Sequence, residues 1–435
     1  MQTTIQETLS EQLLDLQRCI QCGFCLPTCP TYVLTGKERS SPRGRIQMLK
    51  GVAQGMLEMN ETISYEMFFC LGCLACKTAC PAGVQYHSIL ESGRAIVFQQ
   101  KKNNFLQRLL LNIIFLSPKR FLFFAKLLQL FQRSGLQEAL QRSGIVSLFS
   151  KRIDELLSLS PKIANKFSSE SIRERFNNKL ETVNHKLRVG LPLGCITNVS
   201  SPEINLATSK VLETYNCEVV IPEENYCCGA LHQHSGDIEN AKALARKTID
   251  SFENENCKYV ISTAAGCGAC MKHYAELLND DDEYSAKAKS FSEKVYDVSE
   301  FISNIETQVD EFDKRKLKSG NNKLKITYHD ACHLSHGQNI TKEPREILRS
   351  LDGIEFTELQ ESTWCCGSAG IYNVTHFDDS VQLLERKMEN IRKTKAEIVL
   401  TSNIGCINQI QYGAKKFDVN IEAMHIINFL DKYYL

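Results

Sequence analysis

The sequence predicts an α/β chain: a small helical, cysteine-rich N-terminal domain, then two copies of one α/β domain. Three observations predict it. Eight of the 19 cysteines fall in two runs of identical spacing within the first hundred residues. A pattern of single cysteine, Cys-Cys-Gly triplet and Gly-Cys then occurs twice, at offsets of 137, 138 and 139 residues. Between these cysteines, short apolar runs alternate with longer stretches of helical periodicity. The expected regions are 1–100, a helical linker region at 101–186, and the two repeated domains at 187–323 and 324–435.

The bulk properties narrow the function. A chain of 435 residues suits two or three domains. Zero formal net charge gives no global field for binding nucleic acid. Met1 to Leu14 lacks the basic start and apolar run of a signal peptide. The longest apolar stretch, Leu109 to Leu116, is too short to span a bilayer. The expected location is the cytoplasm, where clustered cysteines bind metal more often than they cross-link. Only Cys217 and Cys257 stand outside the regular spacings, and both open β-like runs as core thiols.

Taken in order, Ile46, Leu49, Val52 and Met56 predict a helix between the first two cysteine runs. Phe105 to Leu110 and Phe121 to Phe131 read as helices, punctuated by Pro118 and Gly135, and Ser158 to Ser169 as a looser connector. In the first repeat, Leu187 to Leu193 is a strand ending at Cys195. A helix with Ala207, Val211, Leu212 and Tyr215 on one face follows, then a strand at Val219 to Ile221. A longer helix carries Ala241, Leu244, Ala245, Thr248 and Phe252, and a strand at Tyr259 to Ser262 ends near Gly-Cys. The second repeat offers Leu324 to Tyr328, Ile354 to Phe356 and Ile398 to Leu400 as strands, with Val381, Leu384, Met388 and Ile391 on its long helix. Such alternation implies parallel sheets with both faces covered, and places every cysteine site just past a strand end.

Cys19, Cys22, Cys25 and Cys29, before Pro30, read C-x2-C-x2-C-x3-C-P, and Cys70, Cys73, Cys76 and Cys80, before Pro81, repeat it. This is the spacing of a ferredoxin domain with two [4Fe–4S] clusters. Three thiolates wrap one cubane from a tight loop, and the fourth cysteine reaches the other cluster. The expected sets are Cys19, Cys22, Cys25 and Cys80, and Cys70, Cys73, Cys76 and Cys29. Zinc sites more commonly use separated Cys-x2-Cys pairs. Gly23, Gly72 and Ala75 suit close backbone approach to cluster sulfurs. Arg43 and Arg45 read either as positive charge beside a cluster or as solvated surface arginines.

The first repeat offers Cys195, Cys227, Cys228, Cys267 and Cys270 to a metal. Adjacent cysteines do not reach separate corners of one cubane comfortably, so a further, non-cubane iron–sulfur cluster is one reading. A buried thiol patch is the other. The second repeat offers Cys332, Cys365, Cys366 and Cys406, with Gln409 where Cys270 would stand, and so reads as the weaker site. His232, His234, His329 and His333 lie nearby, as ligands, sulfur donors or ordinary loop histidines.

Cys19-Ile20-Gln21-Cys22-Gly23-Phe24-Cys25, Pro30-Thr31-Tyr32 and Ser41-Pro42-Arg43-Gly44-Arg45-Ile46 resemble the glycolate oxidase iron–sulfur subunit family. So do Cys227-Cys228-Gly229-Ala230-Leu231-His232 and Tyr328-His329-Asp330-Ala331-Cys332-His333-Leu334. The resemblance covers nearly the whole chain, with 101–186 carrying least. It implies an FAD-containing partner that oxidises glycolate, a 2-hydroxy acid, to glyoxylate, and electrons passing through the clusters to a quinone pool. The Cys-Cys-Gly module also occurs in heterodisulfide reductases and in the iron–sulfur subunits of anaerobic glycerol-3-phosphate dehydrogenase and lactate utilisation. These are the alternative functions, and Cys267 with Cys270 is closer to the heterodisulfide reductase form. No G-x-G-x-x-G follows a strand, so flavin chemistry falls to another polypeptide, and no catalytic residue is assigned here.

From Ser92 to Gln137 there is no acidic residue, while Arg94, Lys101, Lys102, Arg108, Lys119, Arg120, Lys126 and Arg133 alternate with Leu and Phe. Such a segment suits peripheral contact with an anionic membrane at the inner face of the cell membrane. Apolar residues on more than one face favour a helical bridge packed on the chain or on a partner instead.

Overall fold

The computed structural model describes residues 13–100, 111–143, 146, 150–177, 187–306 and 323–435. The expected helix at Phe105 to Leu110 lies outside them.

The first region is helical throughout. α1 (Leu13–Arg18), α2 (Pro42–Ala53), α3 (Glu61–Phe69) and α4 (Tyr86–Gln100) surround the two cysteine loops. Ser41 caps α2 by accepting from Gly44 N–H, with Pro42 at the first position, and Asn60 caps α3 by accepting from Ile63 N–H. Ile46, Leu49 and Val52 are buried as the periodicity requires. Met56 is not: α2 stops at Ala53, Gly55 turns left-handed, and Met56 is left exposed.

In the linker, α5 (Pro118–Arg133) packs one face, Phe121, Leu122 and Ala125, against Ile163, Phe167 and Val199. Its other face leaves Phe123, Phe124, Leu127 and Leu130 exposed. The bridge reading therefore holds for one face of this helix. Lys119 and Lys126 lie 4.0 and 3.9 Å from Glu224 and Glu170.

Each repeat is a four-stranded parallel sheet. β1 (Leu187–Gly190), α6 (Pro202–Thr214), β2 (Cys217–Val220), α7 (Ile238–Glu253), β3 (Tyr259–Ser262), α8 (Ala265–Lys272), β4 (Val295–Asp297) and α9 (Val298–Glu306) form the first, in strand order β2-β1-β3-β4. β5 (Leu324–Tyr328), α10 (Glu343–Arg349), β6 (Ile354–Phe356), α11 (Phe377–Thr394), β7 (Ile398–Thr401), α12 (Ile404–Lys416), β8 (Glu422–His425) and α13 (Ile426–Tyr434) form the second, in the matching order β6-β5-β7-β8. The sequence reading found three strands per copy. The fourth, Val-Tyr-Asp or Glu-Ala-Met-His, runs straight into the next helix with no turn between, so nothing marks it off as a strand.

The two sheets share one core. Val189, Val211 and Ile261 of the first belong to the same apolar cluster as Ile326, Leu400 and Phe429 of the second. The exchange is reciprocal: α13 packs on α6 and α9 packs on α10. Lys210 pairs with Asp431 at 2.7 Å, and Ser303 donates to Glu346 at 2.7 Å. At the inner seam, Ala265 N–H donates to Ser402 O at 3.1 Å. No described helix is long and apolar enough to cross a membrane.

Candidate metal centres

The two N-terminal loops share one backbone shape. Gln21 and Gly23 in the first take positive φ, as do Gly72 and Leu74 at the same positions of the second. Gly72 N–H donates to Cys70 Sγ at 3.4 Å. Cys19, Cys22, Cys25 and Cys80 line one small cavity, with Cys76 also touching it. The other thiols meet deeper in the molecule. Burial pushes Cys29, Cys73 and Cys76 up, and negative charge shared among Cys29, Cys70 and Cys73 adds to it; Cys332 acts on Cys73 as well. All 19 cysteines are free. Buried sulfurs that disfavour one another's ionisation suit a cationic iron core.

Three arginines surround these loops. Arg43 pairs with Glu38 at 2.7 Å and donates to Gln21 O at 2.9 Å. Arg45 is buried and reaches Glu66, Thr31 and Ser40 O, which excludes the surface reading for it. Arg94, expected on a basic surface, is also buried. It donates to Cys70 O at 2.5 Å, Met67 O at 3.0 Å and His234 O at 3.0 Å, tying the second loop to the first repeat. Gly236 sits against Arg94 on the far side of this seam, where an added Cβ would lie 2.3 Å from Arg94 O.

In the first repeat the single cysteine, the Cys-Cys-Gly triplet and the Gly-Cys each follow a strand of the sheet. Cys195 Sγ lies 3.8 Å from Cys227 Sγ. Cys228 is held well below the usual thiol range because Cys227, Cys267 and Cys270 all donate to it, while those three are pushed up. Cys270 also contacts Gln233 Oε1 at 3.3 Å, and Gln233 is bonded to Glu91 of α4 at 3.0 Å. The sheet thus gathers five cysteine sulfurs, with Cys228 bonded to three of the others. The second repeat copies this pattern. Cys366 is held low by donation from Cys365 and Cys406, Cys332 acts on Cys365, and His329 takes part as well.

Gln409, at the place of Cys270, is occupied elsewhere: it donates to Ser380 Oγ at 2.9 Å and accepts from Asn373 at 3.1 Å. His329 Nδ1 lies 3.0 Å from Ser362 O and must donate to it, since a carbonyl only accepts. The other histidines serve differently. His333 Nε2 donates to Gly72 O at 3.0 Å. His234, pushed down to about 3 by burial, stands edge-on to His333. His232 is fully buried. Cys217 and Cys257 are buried apart from all these groups, pushed up by burial to about 12 and about 11.

Both repeats and the second N-terminal loop open on one cavity of about 650 Å³. Cys70, Cys195, Cys228, Cys267, Cys332 and Cys366 are among its walls. Cys73 packs with Trp364 and Cys365 beside it.

A family model for a 4Fe-4S dicluster domain matches residues 15–84, and one for a cysteine-rich domain matches 189–272 and again 326–411. A model for the linker region of the glycolate oxidase iron-sulfur subunit matches 102–159. The probable glycolate oxidase iron-sulfur subunit of Bacillus subtilis is 36% identical over 99% of this chain and 96% of its own length. The glycolate oxidase iron-sulfur subunit of Escherichia coli is 33% identical over 93% and 94%. The chain belongs to the glycolate oxidase iron–sulfur subunit family. Lactate utilization protein A of Bacillus subtilis is 30% identical over 56% of the chain, a span that covers 99% of that protein. Membership of the glycolate oxidase iron–sulfur subunit family makes this an iron–sulfur electron-transfer protein with a helical dicluster region and two repeated α/β cysteine-rich domains. Sequence reasoning missed two parts of its sites. Arg94 was indistinguishable from its basic neighbours, and buried Lys387, in the polar stretch of α11, gave no signal of entering a site.

Proposed function

We propose that the chain is the electron-carrying subunit of a glycolate oxidase complex. It takes electrons from an FAD-containing subunit that oxidises glycolate to glyoxylate, and delivers them toward a quinone. One observation carries this reading: the sulfurs form a continuous series, from the exposed Cys22 loop through Cys29, Cys70, Cys73 and Cys76 to the two Cys-Cys-Gly sites. Cys19, Cys22, Cys25 and Cys80 hold one [4Fe–4S] cluster, and Cys29, Cys70, Cys73 and Cys76 the other. A non-cubane cluster occupies Cys195, Cys227, Cys228, Cys267 and Cys270. Bound there, these groups supply one-electron storage between a two-electron flavin and a quinone.

The chain's own residues direct the transfer. Ile20 and Phe24 are 69% and 65% exposed beside the outer cluster loop and form the docking point for the flavoprotein. Arg45 and Arg94 hold positive charge near the inner loop and stabilise added electrons there. The exposed face of α5 meets the inner face of the cell membrane, which keeps the protein at the cytoplasmic side near its acceptor.

Anaerobically purified protein is expected to hold iron and acid-labile sulfide in equal amounts, with two cubane signals that survive Cys228→Ser. Zinc without labile sulfide would sink the proposal. The cavity between the Cys-Cys-Gly sites supports a second reading, reduction of a disulfide within it. Robust thiol–disulfide turnover by the purified chain alone would favour that activity over the relay.

A further inference from the structure

The second Cys-Cys-Gly site looks depleted by its sequence, since Gln409 replaces the fifth cysteine. The geometry supplies another donor. A ring nitrogen of His329 and the sulfurs of Cys366 and Cys406 all lie within 4.8 Å of one another, and all three residues are buried. Nε2 has no nitrogen or oxygen partner. With Nδ1 donating to Ser362 O, Nε2 is the ring nitrogen left on the side of the sulfurs. That is the arrangement of a metal-ligating histidine: the far nitrogen donates to a carbonyl, which sets both the tautomer and the angle.

The loop that carries the ring is clamped. His329 N–H donates to Leu400 O at 2.8 Å, and Asp330 N–H to Ser362 O at 3.2 Å. Asp330, buried, takes two bonds from Arg345 at 2.9 and 2.8 Å. In the first repeat the residue in register with His329 is Pro192, which brings no side-chain nitrogen.

We propose that His329 Nε2 is a ligand of an iron–sulfur centre in the second repeat, completing a four-cysteine, one-histidine set with Cys332, Cys365, Cys366 and Cys406. The two copies then each present five donors, reached by different substitutions on one scaffold. This inference rests on the reading that the Cys-Cys-Gly sites hold iron. A neutral imidazole in place of a thiolate removes one negative charge from the centre, so the second site takes electrons more readily than the first. The ammonium of Lys387, which donates to Glu361 O and Ser362 O directly behind the loop, acts in the same direction.

The test uses the full chain, purified anaerobically with 15N-labelled histidine. The signal of the second site is first assigned by its loss in Cys366→Ser. Pulsed electron paramagnetic resonance of that signal is expected to show one coupled histidine nitrogen in wild type. The coupling should vanish in His329→Ala. In His329→Cys the iron should remain, the coupling should vanish and the midpoint potential should fall. A second-site signal without histidine coupling in wild type, or coupling that persists in His329→Ala, overturns the assignment alone. If Cys366→Ser changes neither iron content nor spectrum, the second site holds no iron, and the reading beneath the inference fails with it.

Discussion

The two Cys-Cys-Gly copies share strand order, helix placement and a thiol held well below its usual range at the second cysteine of the triplet, yet differ in what surrounds it. In the first copy, Cys228 is bordered by sulfur from Cys227, Cys267 and Cys270. In the second, Cys366 is bordered by Cys365, Cys406 and an imidazole, with an ammonium behind. Burial pushes Lys387 down to about 8, and the charge of Cys366 and Cys365 opposes that fall. Thr248 occupies the matching place on α7. Duplication thus preserved the sheet that gathers the donors, while single substitutions changed the charge of the site. A parallel sheet can do this because its strand ends converge whatever residues the loops carry.

The strongest way to break the comparison is to remove each hub separately. Cys228→Ser and Cys366→Ser are each expected to empty their own site completely, with the other copy's iron retained, as metal analysis would read. Loss of iron from both copies in either variant would mean a single shared centre. Next in size is the pair Cys270→Ala and Gln409→Ala. The first should cost the first copy its cluster. The second should leave iron unchanged and lower stability by about 1–2 kcal/mol in denaturant unfolding, because Ser380 and Asn373 lose their buried partner.

Lys387→Met should lower the midpoint potential of the second copy alone. It should also cost about 1–3 kcal/mol of stability, since Glu361 O loses a buried donor. An unmoved potential would show that the ammonium is only structural.

The smallest effect concerns the last strand of each copy. Asp297 ends β4 and accepts from Ser299 N–H at 2.9 Å, while His425 ends β8 and accepts from Ile427 N–H at 3.2 Å. Burial raises Asp297 to about 6 and lowers His425 to about 4. The signs are opposite. A depressed histidine contributes its stability above its unfolded value near 6.5 and loses it as pH falls toward 4. A raised carboxyl contributes below its unfolded value near 3.8 and loses that stability as pH rises through 6. His425→Asn should therefore weaken the loss of stability on acidification, by about 1 kcal/mol at pH 5.5 in pH-dependent unfolding. An unchanged acid slope would count against this role for His425.

The order of the fold could be read because its signals are local. Two runs of four cysteines ending in proline each describe one loop, and strand–helix alternation at offsets of 137 to 139 residues describes a repeated parallel sheet. The core faces of α2, α7 and α11 followed from spacing alone, with Met56 the exception because Gly55 ended the turn early. By contrast, β4 and β8 were invisible, because each passes directly into a helix without a turn and is held as a strand by its neighbour in the sheet.

The sequence by itself determined which thiols belong to one loop and that the C-terminal half is a duplicated α/β unit, because covalent spacing and side-chain periodicity act over a few residues. Tertiary structure alone decided that the two units share one core, that Arg94 is buried at a seam, and that His329 rather than Gln409 faces the sulfurs of the second copy. Those facts depend on segments tens or hundreds of residues apart meeting at strand ends, and burial there sets which polar atom is left free to bind.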